Sequence, residues 1–222
     1  MKKELLYLML ISVFIACNNA PKFDESNVNP LQQLEEGNKR FAAGKPVHPD
    51  ETLESIRELK NGQHPFAVVV SCSDSRVPAE LVFDQGLGDI FSIRTAGNIM
   101  GDYELGSIEY AVEHLDCKLV VVMGHKDCGA IKAFIKSDGH YEHLDHIKKI
   151  IEYIESEQEE KDLINHHELN VDKAIAANIT HGVTFLRTAE PILKEFYDSK
   201  KVEIIGAIYD IETGKVTFDK IN

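Results

Sequence analysis

Positive charge is scarce in this chain. Its 24 Lys and Arg stand against 37 Asp and Glu, a formal net charge of -13, and no basic run occurs. Binding of nucleic acid or of an anionic membrane by charge is therefore excluded as a working hypothesis, and the acidic residues read as a solvated surface. Cysteine is scarce too, with four in 222 residues. Setting aside Cys17, treated below, leaves Cys72, Cys117 and Cys128, an odd number that builds no disulfide framework. Tryptophan is absent. Internal repeats and low-complexity tracts are absent as well. Long apolar runs are missing except at the start, where Lys2 and Lys3 precede Leu5 to Ala16. That run is too short for a comfortable membrane span and suits the apolar region of a signal peptide.

The run ends at Ala16-Cys17, followed by Asn18-Asn19. A small residue before Cys at this place resembles a bacterial lipobox, although Phe14 and Ile15 fit it imperfectly. On this reading residues 1–16 are a lipoprotein-type signal peptide. Cys17 is the lipidated mature N-terminus, and residues 17–29 tether it to a single domain over 30–222. An ordinary cleaved signal and an uncleaved anchor are the alternatives. The lipoprotein reading puts the protein outside the cytoplasm, on the periplasmic or cell-surface side of a bacterial envelope, touching membrane only through its lipid.

What the domain does contain is an alternation of short apolar runs and helical patterns. Runs at Phe66–Ser71, Asp89–Arg94, Lys118–Met123 and Val202–Tyr209 read as buried strands, with helices between them. The expected fold is α/β: a mostly parallel four-stranded central sheet flanked by helices. Thr213-Gly214 turns the chain into a short C-terminal strand, Lys215–Phe218, antiparallel at an edge. Helices are expected from Pro30 to Phe41, over 51–60, from Pro78, over Tyr103–Leu115, from Gly129 to Lys136, and over 171–199 with a break at Pro191. Residues 138–170 read as a weakly amphipathic surface helix and then a loop around Asn165-His166-His167.

Chemistry collects at two strand ends. The first run leads into Cys72-Ser73-Asp74-Ser75-Arg76 and the third into His125-Lys126-Asp127-Cys128-Gly129. Ligands of α/β folds sit just past the carboxyl ends of parallel strands. His125 and Cys128, one helical turn apart at a helix start, joined to Cys72, make a Cys2His set. Three protein ligands leave zinc an open fourth position, the catalytic pattern, and thiolates favour zinc over magnesium or calcium. Asp74 either closes the site as a fourth ligand or pairs with Arg76, whose planar fork matches a carboxylate. Cys117, left over, reads as a half-buried structural thiol. His140, His143 and His146 read as a solvated face rather than a second metal site.

These motifs resemble the β-class carbonic anhydrases. The similarity runs from about Leu31 to Phe218 and includes Gly37-Asn38-x-Arg40-Phe41, Arg94-x-Ala96-Gly97-Asn98, Ser107-x-Glu109-Tyr110-Ala111 and Gly206-Ala207-x-Tyr209-Asp210. The resemblance implies reversible hydration of carbon dioxide to bicarbonate and a proton by a zinc-bound hydroxide. It implies one zinc ion per chain on Cys72, His125 and Cys128, with Asp74 and Arg76 as the gating pair. Gly129 would offer its N–H to the bound anion. One group in the family, plant-like, keeps a Gln nine residues before the first ligand Cys, with a Phe and a Tyr; Gln63, Phe91 and Tyr110 stand at the matching places. The other group has a Trp three residues before that Cys, part of an inhibitory bicarbonate site. This chain has Val69 there, which implies no bicarbonate switch. The family's pocket forms between subunits, so a homodimer, or a tetramer of such dimers, is implied, with Gln63 reaching across. Thr95 stands where many members have Asn, which leaves the bonding around Arg94 open.

Overall fold

The computed structural model describes residues 29–137 and 145–219. Its centre is a five-stranded sheet of order β2-β1-β3-β4-β5. The strands are β1 (Ala67–Cys72), β2 (Ile90–Thr95), β3 (Leu119–His125), β4 (Glu203–Tyr209) and β5 (Val216–Asp219). The first four run parallel, and β5 closes the edge antiparallel to β4. That is the expected architecture. Every residue of β1 and β3 is buried. Both strands are covered on both faces, so they read as unbroken apolar runs and not as alternations.

The pleat sends alternate residues to opposite layers. Val68, Val70, Val120 and Val122 join one cluster with Ile108 and Val112 of α4 (Asp102–His114) and with Val183 and Leu186 of α8 (Val171–Thr188). Ala67, Val69, Val121 and Met123 join the other, with Leu34 of α1 (Pro30–Ala42) and Val82 of α3 (Ala79–Val82). A short helix α2 (Leu53–Glu58) buries no residue. A third cluster surrounds the carboxyl ends of the strands. It contains Cys72 and Cys128 together with Ile131 and Phe134 of α5 (Gly129–Ser137) and Ile151 and Ile154 of α6 (His146–Ser156).

The strand order matters for function. From β1 the chain goes out to β2 on one side and returns to β3 on the other. This is the switch point of an open α/β sheet, where the connections diverge and leave a crevice. Cys72 and His125 are the last residues of the two strands that flank it.

Helix α1 is locked onto the body by its polar residues. Asn29 caps it by accepting from the N–H of Leu31 and Gln32, and Pro30 takes the first turn, where its missing N–H costs nothing. The Asn38 amide donates to the carbonyls of Val82 and Gly214, and its oxygen accepts from Val216 N–H. Gly37 lets the helix lie against α3: a Cβ there would stand 1.7 Å from the Phe83 carbonyl oxygen.

The segment read as a surface helix and loop differs from expectation. It holds two helices, α6 and α7 (Gln158–Asn165), where one was expected, and the expected turn follows at His166-His167. Glu157 and Glu160, in a run that reads as solvated acid, are 2% and 0% exposed. Charge run and burial part company here because α8 packs across α7. The 171–199 segment divides into α8 and α9 (Ile192–Asp198), as Pro191 suggests. Cys17, His140 and His143 lie outside the described residues, within which no helix is long and apolar enough to cross a membrane.

Gly37→Ala should force α1 off α3. The expected cost is about 3 kcal/mol, read as a melting temperature roughly 6–12 °C lower. An unchanged midpoint in thermal denaturation would contradict this close approach.

Candidate metal centre

Cys72 ends β1, His125 ends β3, and Cys128 immediately precedes α5. Their sulfur and ring-nitrogen atoms lie within 4.8 Å of one another, and all three residues are buried. His125 and Cys128 flank the junction of β3 and α5, with the helix starting at Gly129 as expected. A two-residue turn separates them, with Asp127 at φ 62° in the left-handed region that Asp tolerates.

The His125 ring shows what this cluster is suited to hold. Its Nδ1 lies 2.9 Å from the Lys126 carbonyl oxygen, which accepts only, so Nδ1 carries the proton and donates. Nε2 is left with a lone pair, fully buried and without a hydrogen-bond partner. A buried unpartnered acceptor is costly unless something cationic fills its need. A backbone-oriented imidazole with its second nitrogen free is the arrangement of a metal ligand.

The thiols point the same way. Cys72 lies well below the ordinary thiol range, first through Cys128 beside it, and also through the N–H groups of Gly97 and Asp74; burial opposes. Both N–H to Sγ distances are 3.4 Å. Cys128 is pushed up by the same pairing and by burial, against the amides of Ala130 and Ile131 at the start of α5. Two buried thiols this close together are a site in which a soft dication can hold both as thiolates. Two sulfurs and one imidazole nitrogen suit zinc.

Asp74 faces Arg76. The guanidinium Nε donates to Oδ1 at 2.9 Å and Nη2 to Oδ2 at 2.7 Å, and the Arg76 backbone N–H also reaches Oδ1 at 2.9 Å. This bonding holds the Asp74 carboxyl far below the usual carboxylate range. A depressed folded-state value means that the pair persists through neutral pH and is lost only as strong acid protonates Asp74. Nη1 of Arg76 lies 3.5 Å from Asp127 Oδ2, a link between the two loops.

Arg94, on β2, holds the Cys72 loop from the side. Its Nε donates to the Cys72 carbonyl at 3.2 Å and its Nη2 to the Asp74 carbonyl at 2.7 Å. Thr95, at the place of the family's Asn, turns away and donates to the Ile99 carbonyl. Gly97 has φ 70°, and a Cβ there would meet Ala130 Cβ at 2.9 Å, so only glycine brings this amide to Cys72. Gly129 lies exposed at the start of α5 with open space beside its Cα.

The remaining expected site residues are elsewhere. Phe91 and Tyr110 come together, ring centroids 6.5 Å apart, Tyr110 being 48% exposed. Gln63 is exposed in the loop before β1, on a shallow depression with Ile56, Leu59 and Leu87. No hydrogen bond, ion pair or ring contact joins these three to the cluster within the described chain. Val69 is a fully buried core residue. Cys117 is more deeply buried than expected; its Sγ–H donates to the Pro65 carbonyl at 3.0 Å, and burial pushes the thiol up to about 12.

One set of residues near the site carried no functional signal in the sequence. Asn98 Nδ2 donates to Asn178 Oδ1 at 2.6 Å, and Asn178 Nδ2 donates to the Glu157 carboxyl at 3.1 Å and 3.3 Å. Asn98 belongs to a motif quoted above, but nothing in the pattern singles out Asn178 or Glu157.

Known proteins bear on this geometry. The family model described as carbonic anhydrase matches residues 67–216. Carbonic anhydrase 2 of Mycobacterium tuberculosis is 36% identical over 196 residues, covering 85% of this chain and 92% of that one. A carbonic anhydrase of Mycolicibacterium smegmatis is 51% identical over 114 residues, 50% of this chain and 55% of that one. Among solved structures, the beta-carbonic anhydrase CcaA superposes with a TM-score of 0.68 at 28% identity, over 86% of this chain and 95% of that one. The β-carbonic anhydrase CafA of Aspergillus fumigatus gives 0.66 at 27% identity, over 86% and 91%. By sequence, by sheet topology and by a Cys2His cluster at the switch point, this chain belongs to the β-class carbonic anhydrases, enzymes that hydrate carbon dioxide.

Proposed function

We propose that this chain interconverts carbon dioxide and bicarbonate with one zinc ion held by Cys72, His125 and Cys128. The observation that carries the reading is the buried, unpartnered Nε2 of His125, within 4.8 Å of the sulfurs of two buried cysteines. When bound, the ion supplies Lewis acidity that brings the ionisation of a water molecule toward neutral pH. The other roles belong to the protein.

Asp74 stays ionised, and Arg76 occupies one side of each of its oxygens. A carboxylate has about four lone-pair sites, so one on Oδ2 remains to accept the hydrogen bond of a reacting water and orient it. With Asp74 drawn to Arg76, the fourth metal position stays available, and Val69 in the place of Trp supports the unswitched reading. The Gly129 amide, at the positive end of α5, is suited to hold the bicarbonate anion.

Gln63, Phe91 and Tyr110 would complete the pocket from a second copy of the chain. Their separation from the cluster within one chain supports this. So does β2, which has no strand partner on its outer side among the described residues, and the exposed apolar Leu53, Ile56, Leu81 and Leu87. The export and anchoring reading rests on residues 1–17 of the sequence alone.

Metal analysis should find about one zinc per chain in the purified protein, and stopped-flow assays should show carbon dioxide hydration. Cys72→Ser should lose metal and more than the ~10–100-fold in rate that an outer-shell change costs. Rate without zinc, or zinc without rate, would overturn the assignment. Asp74→Asn should keep its zinc but lower kcat about 100-fold, the scale of a lost proton-handling group; a parent-like kcat would remove Asp74 from the mechanism. For the anchor, labelled lipid should enter the wild-type chain in a bacterial host and not Cys17→Ala. Equal labelling of the two would exclude lipidation at Cys17.

A further inference from the structure

The hydration chemistry uses neither of the two buried acids, Glu157 and Glu160, nor the two buried amides beside them. Glu157 is 2% exposed, Asn178 3% and Asn98 4%. A buried polar group persists when its partners are satisfied and its position matters. The three form one directed chain: Asn98 donates to Asn178, and Asn178 donates to Glu157. Glu157 accepts at the end of the chain, which sets the orientation of both amides.

At its other end the chain reaches the metal centre. Asn98 closes the turn Ala96–Asn98 and has φ 47°; Gly97 before it has φ 70°. Two successive left-handed residues need support from outside the turn. The turn packs on β1 and β3, which end in Cys72 and His125, and on α5, which Cys128 immediately precedes. Its one direct contribution to them is the Gly97 N–H, 3.4 Å from Cys72 Sγ. The amide reaches the sulfur only while the turn keeps this shape, and the Asn98 side chain ties the turn to α8.

We propose that Glu157, acting through Asn178 and Asn98, is a positioning residue for the metal centre, clamping the turn whose Gly97 amide donates to Cys72. Hydrogen bonds to a ligating sulfur hold its geometry and moderate its charge. Burial, and then the neighbouring Glu160, pushes the Glu157 carboxyl up to about 9, so at neutral pH it is a neutral acid. A glutamine matches a neutral glutamic acid in shape and offers the same accepting oxygen. The inference rests on the zinc reading of Cys72, His125 and Cys128 and deepens it.

The test uses the full chain and two readouts that need no turnover. One is zinc affinity by competition with a chromophoric chelator. The other is the visible absorption spectrum of the cobalt-substituted protein, which reports ligand geometry. Glu157→Ala should weaken zinc about 10-fold or more and shift the cobalt bands, and Glu157→Gln should return both to parent values. Asn98→Gly keeps the left-handed backbone and removes only the side chain. It should reproduce the Glu157→Ala effect, and the double variant should add little, since both cut one chain. If Glu157→Ala does not fold, Asn98→Gly decides. Parent-like zinc affinity and cobalt bands in a variant whose zinc-free form merely melts lower would overturn the proposal. A parent chain that binds neither zinc nor cobalt would instead overturn the metal reading beneath it.

Discussion

The structure depends on burying three soft ligands where two parallel strands end side by side. Ser71 pairs with Met123, so Cys72 and His125 emerge at nearly the same level of the sheet. The connections leave in opposite directions there and open a crevice at the strand ends. The fully buried β1 and β3 form a rigid floor. A ligand set on such a floor keeps its geometry without support from long loops.

Around the sulfurs the protein builds a shell of donors and of fixed charge. Cys72 receives amides from its own loop and from the Gly97 turn. Arg94 holds the same loop by two carbonyls. Asp74 gives its negative charge to Arg76, so the charge nearest the ligands is paired and directed. Below the turn the logic is reversed: Asn98, Asn178 and Glu157 form a neutral path, because an ionised carboxylate in that interior would be expensive. The outer layer is charged and open to solvent, and the inner one is dry and uncharged.

Much of this was legible in the residues. Unbroken Val runs announced β1 and β3, because strands covered on both faces have no polar side to show. Pro30 and Pro191 marked helix limits through their fixed backbone. Cys72 with His125 and Cys128 could be read as a metal set because few other chemistries bring those side chains to two strand ends. Asp74 was less legible. Two residues from Cys72, it could equally have been a ligand or the partner of Arg76, and the bidentate fork seen in the fold favours Arg76. Glu157 and Glu160 were not legible at all: an acidic helix reads as solvated until another helix covers it.

Local sequence thus determined what depends on local physics, namely strand runs, helix ends and the ligand types. Tertiary structure alone decided what depends on separate segments meeting. It set Gly97, 25 residues beyond Cys72, against that sulfur. It brought Asn178 to Asn98 across 80 residues. It left Gln63, Phe91 and Tyr110 outside the cluster that their motif suggests they serve. A side chain's burial and partners are properties of the packed chain, and no periodicity along the backbone encodes which distant element will cover it.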